Sequence, residues 1–228
     1  MDNEDLNVWL PNESNKSFND SDSYLQWVFS NISSMPRENV TTIVNNLIKT
    51  GFTYHAARCL EISAQHSLGV FFTGKELLSY RYPSFGNFHK DIKTLIEAGC
   101  LFIKGKREKT AHLIFNRALA FVEEALRQID VYEEDNTKEI LCLGLAFELA
   151  GNCCFPTGNK DGIEYYNAAE KYWKKGFDLD QEEVEGWKEH AVTKTVLSSL
   201  KEVAKTKFSE DTTLIPLLSN DYKIRIKR

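Results

Sequence analysis

Little in the sequence speaks for catalysis, a metal or a membrane. No apolar run approaches the roughly eighteen residues that a membrane span needs. The stretch Met1–Leu10 is acidic, where a secretory leader would be basic. The five cysteines (Cys59, Cys100, Cys142, Cys153, Cys154) form no C-x-x-C pair, so a zinc site has no support. They sit mostly in apolar text and read as reduced, packed thiols. Five histidines (His55, His66, His89, His112, His190) stand singly, with no H-E-x-x-H and no G-x-S-x-G. These absences point away from an enzyme, and no cofactor, metal or catalytic residue is expected. A cytoplasmic or nuclear protein is the expectation, and the acceptor-like triplets at Asn12, Asn15, Asn19, Asn31 and Asn39 then read as chance.

The nearest approach to a chemical motif is Gly69-Val-Phe-Phe-Thr-Gly74-Lys75, which matches a phosphate-binding loop up to its last position. Glu76 stands where that loop needs a hydroxyl, and its carboxylate would repel phosphate. The surrounding text is helical, with no parallel sheet to present such a loop.

What is present is charge asymmetry and helical periodicity. Residues 1–22 carry six acids against Lys16, the same net −5 as the whole chain, so the remainder is near neutral. Such a segment buries too little apolar surface to offset its ordering entropy. Its one apolar island, Leu6, Val8, Trp9 and Leu10, either folds back or docks elsewhere with Trp9 as anchor. Three parts result: an acidic segment over 1–22, a helical domain over 23–208, and an extension over 209–228 with a basic end.

Apolar spacing predicts a short helix from Tyr24 to Ile32, then helices over 37–50 and 53–66 separated by Gly51. Residues 67–86 read as the least regular part. A long pair follows over 88–104 and 107–129, then a hairpin over 138–177 and a last helix over 182–207.

The hairpins carry an internal repeat. Gly99 and Phe102 precede a turn near Gly105, and Ala111, Phe115, Ala118 and Leu119 follow it. Leu149, Ala150 and Cys153 precede Gly158, and Gly162, Tyr166 and Ala169 follow at matching offsets. Val44, Leu47, Gly51, Ala56 and Leu60 form a weaker copy. Small residues let paired helices approach, while aromatics fill the groove to the next pair. On these residues the chain resembles the tetratricopeptide-type helical hairpin over about 37–177. The anchors Ala56, Ala111 and Gly162 lie 55 and 51 residues apart, against a family period of about 34. The expected fold is therefore all-α: stacked antiparallel helical hairpins, as a tetratricopeptide-like α-solenoid or an irregular helical bundle.

The resemblance implies a non-enzymatic adaptor or scaffold subunit that binds another protein by a peptide or helix, within a multi-subunit complex. Tyr165, Tyr166, Tyr172, Trp173, Trp187 and Trp9 are the candidate partner-binding residues. The alternative is an RNA-associated helical-repeat subunit, since basic clusters occur at Lys104–Lys109, Lys171–Lys175 and Lys223–Arg228. Acids surround each cluster and the domain is near neutral, so nucleic acid is not the favoured partner.

Overall fold

Proline, glycine and one lysine decide where the helices begin and end. The computed structural model describes residues 20–73, 85–128 and 137–179. Within them the chain forms seven α-helices and no strand. Helix α1 (Ser21–Asn31) starts where the Asp20 carboxylate accepts the Ser23 amide at 2.7 Å. Two residues assigned to the acidic segment, Ser21 and Asp22, are thus helical. A 3-10 turn (Ile32–Ser34) leads to Pro36, and α2 (Arg37–Lys49) begins on the next residue. The remaining helices are α3 (Thr53–Thr73), α4 (Phe85–Lys104), α5 (Glu108–Gln128), α6 (Thr137–Cys154) and α7 (Asp161–Leu179).

Three hairpins follow, α2–α3, α4–α5 and α6–α7, and each turns on the same hydrogen-bonded device. Phe52 donates its amide to the Leu47 carbonyl at 2.7 Å and Gly51 donates to Ile48 at 3.1 Å. Arg107 donates to Phe102 at 2.8 Å and Lys106 to Ile103 at 2.9 Å. Asn159 donates to Cys154 and Gly158 to Phe155, both at 3.2 Å, after a 3-10 turn over Phe155–Thr157. This paired pattern puts the middle residue in the left-handed region. Gly51 (φ 84°) and Gly158 (φ 72°) fit it without cost, but the second hairpin uses Lys106 (φ 57°). Gly105, the expected turn residue, stands one position early.

The anchors Ala56, Ala111 and Gly162 follow these turns, and all three are buried. Across two of the hairpins a ring fills the place of a missing Cβ. A Cβ on Gly99 would lie 2.5 Å from the Phe115 ring, and one on Gly151 would lie 2.7 Å from the Tyr166 ring. In the first hairpin the matching positions hold Val44 and Leu60, both buried aliphatics.

From α2 onward, helices adjacent in sequence pack against one another, α1 packs on α3, and α6 also touches α4, joining the first helices of two hairpins. Helix α6 is apolar nearly all round. With the 3-10 turn that follows it, the segment Ile140–Thr157 has a mean hydropathy of 1.5 over 18 residues, enough by length and composition to cross a membrane. This corrects the expectation that no run is so apolar. The segment is 89% buried among the other helices, as a central helix packed on several sides must be.

Helix α3 also runs past its expected end at residue 66, so residues 67–73, read as irregular, are helical. Gly69–Thr73, the first part of the phosphate-loop match, therefore has its amides in the helical ladder. Its remainder, Gly74–Glu76, lies outside the described residues, as do the expected helix over 182–207, residues 1–19 of the acidic segment and the extension over 209–228.

The turn geometry gives a paired expectation in chemical denaturation. Lys106→Gly should stabilise by about 0.5–1 kcal/mol by removing left-handed strain, and Gly51→Ala should cost about 1 kcal/mol. Gly99→Ala should destabilise by about 1–3 kcal/mol, and adding Phe115→Leu should recover part of that loss. Additive losses in the double variant would show that ring and glycine are not interlocked.

Candidate functional site

Aromatics that look alike in sequence fall on different sides of α7. Trp173 is fully buried, and its indole N–H donates to the Glu148 Oε2 on α6 at 2.9 Å. Its ring also lies 3.0 Å from where a Cβ on Gly144 would stand. Tyr166 is buried, and its hydroxyl donates to Asn152 Oδ1 at 2.7 Å. Both candidate anchors are thus core residues, because helical spacing carried them to the α6-facing side. Trp9 and Trp187 lie outside the described residues.

Tyr165 and Tyr172 share the other side, two turns apart, and are half-buried. Phe147 of α6, itself half-buried, stacks on Tyr172 with ring centroids 5.5 Å apart and planes at 6°. The Tyr165 ring lies 6.3 Å from Phe147. Its hydroxyl donates to Glu123 Oε1 of α5 at 2.7 Å, tying the second hairpin to the third. Burial, followed by the Glu123 carboxylate, pushes the Tyr165 phenol well above its usual range. The Lys171 ammonium stands 6.0 Å over Tyr172. The result is a rigid, partly exposed aromatic face bordered by a cation. Phe147 was missing from the expected set, although its place two turns of sequence before the α6–α7 bend offered a signal.

Buried acids pin the other helices. Asp91 of α4 pairs with Arg37 of α2 and accepts the Ser67 hydroxyl of α3 at 2.7 Å. Burial raises its carboxyl above the ordinary value despite the opposing Ser67 and Arg37. Burial alone raises that of Glu97 on the same helix. Glu61 of α3 pairs with Arg58, accepts from Gln65 at 3.0 Å and faces Arg117 of α5 at 3.8 Å. Asp91 and Glu61 thus tie side chains of neighbouring helices together.

All five thiols are buried, and none is in a disulfide. Burial pushes Cys59 and Cys154 up to about 12, and Cys153 well above the ordinary thiol value. Among the described residues no group of three or more His, Cys, Asp or Glu is placed to hold a metal ion.

Two measurements check this electrostatic picture. A thiolate-directed reagent at pH 7 should leave all five cysteines unlabelled in the folded chain and label them in denaturant. Fast native labelling of Cys153 would contradict its burial. Glu97 ionises less readily folded than unfolded, so it favours folding below about pH 4.5 and that contribution fades as pH rises through its folded value. Glu97→Gln should therefore raise Tm at pH 7 relative to the parent, with the gap closing near pH 4. Compared with protein-family models, with curated proteins and with solved structures, the chain matches none, which leaves its own geometry as the ground for a function.

Proposed function

We propose that this chain is a non-enzymatic adaptor subunit that binds another protein through the aromatic face of its third hairpin. The observation that carries this reading is the Phe147–Tyr172 stack with Tyr165 beside it, half-buried and held in place. Large rings that lose little freedom on contact are efficient binding anchors. A partner helix or extended peptide laid along α7 would cover Tyr165 and Tyr172 together, since both lie on one stripe. The stacking is of tetratricopeptide type in this reading: three hairpins with equivalent turns, small anchors after each turn, and the first helices of the second and third hairpins in contact. The longer period reflects helices of up to 21 residues.

A photo-crosslinking amino acid at Tyr172, in the full chain in native extract, tests the proposal. The expected product is a protein adduct of defined mass that survives nuclease. The same group at Asn167, exposed on another side of α7, should give none. Phe147→Ser combined with Tyr172→Ser should abolish capture of that partner while the thermal melt keeps a single cooperative transition. A nuclease-sensitive adduct would support the RNA-associated alternative instead, and no adduct at Tyr172 would sink the adaptor reading at this face.

A further inference from the structure

A second surface lies along the seam between α3 and α5, on the first two hairpins. Tyr54, at the start of α3, is 43% exposed yet fixed in place. Its ring meets Phe102 edge-on at 5.8 Å, and the Arg107 guanidinium lies over it at 5.7 Å. One turn further, Arg58 pairs with Glu61, whose carboxylate also faces Arg117 across the seam at 3.8 Å. The Glu61 side chain is only 7% exposed, whereas those of Arg58 and Arg117 are 37% and 50% exposed. One buried acid therefore aligns two guanidiniums and cannot saturate their forks of N–H donors. Leu113, one turn before Arg117 on the same side of α5, is 65% exposed.

We infer that this seam is a docking site for an acidic, aromatic-containing peptide segment of a partner protein. Two guanidiniums flank the one buried carboxylate and a third, that of Arg107, lies over Tyr54, so the cations outnumber the acid and are pre-aligned for carboxylates. Tyr54 and Leu113 supply the apolar contact that makes such a peptide more than a counterion. The protein-binding reading above sets only the class of occupant. The seam is built from residues on α3 and α5, separate from the Phe147 face on α6 and α7.

A labelled random copolymer of glutamate and tyrosine is the probe, followed by fluorescence anisotropy with the full chain at low and high salt. The expected result is salt-sensitive binding, stronger than to polyglutamate of the same length. Arg107→Glu with Arg117→Glu should weaken it roughly tenfold or more. Tyr54→Ser should remove the advantage over polyglutamate. Lys160→Glu with Lys174→Glu, on the third hairpin, should leave binding unchanged, and thermal melts confirm that each variant folds. Equal binding by the arginine variants, loss on reversing the two lysines, or displacement by polyuridylate at matched charge would each overturn the inference. Crosslinking at Tyr172 is read separately, so either site can fail without the other.

Discussion

Hairpin closure in the second and third units depends on one contact: an aromatic ring seated where the facing helix has no Cβ. Phe115 over Gly99 and Tyr166 over Gly151 leave no room for a methyl group. Close approach of the backbones then follows, because the ring lies flat in the gap that glycine leaves instead of holding the helices apart. Trp173 over Gly144 extends the same principle along α6 and α7. Glycine weakens a helix by roughly 1 kcal/mol, and burial of a whole ring more than offsets that cost.

The rings bring a polar requirement with them. Tyr166 and Trp173 carry buried donors, and Asn152 and Glu148 on α6 accept them. A buried carboxylate is expensive unless hydrogen-bonded, so Glu148 and Trp173 satisfy one another. Asp91 and Glu61 act in the same way between hairpins, each holding side chains from other helices. Such ties fix the register of one helix against the next, which apolar contact alone leaves loose.

The same ties shape the exterior. Glu61 spends its oxygens on orienting Arg58 and Arg117, and Glu123 fixes the Tyr165 hydroxyl. Side chains already held by the fold lose little entropy on meeting a partner. The two proposed surfaces share that property, although one is mainly aromatic and the other mainly cationic.

Local sequence determined that three helical hairpins form, though it stopped α3 seven residues short, and it marked Gly51 and Gly158 as turn residues and Ala56, Ala111 and Gly162 as small anchors. These are local properties, set by side-chain spacing and backbone freedom. Tertiary structure decided the rest. Lys106 took the left-handed position because the paired hydrogen bonds of the turn, and not residue identity, fix which position inverts. Tyr165 and Tyr166 are neighbours in sequence, yet Tyr166 is buried against α6 and Tyr165 is half-buried toward α5, since successive residues turn about 100° around a helix. Phe147, Tyr54 and Arg107 became surface features only when helices distant in sequence met, and no local pattern encodes that meeting.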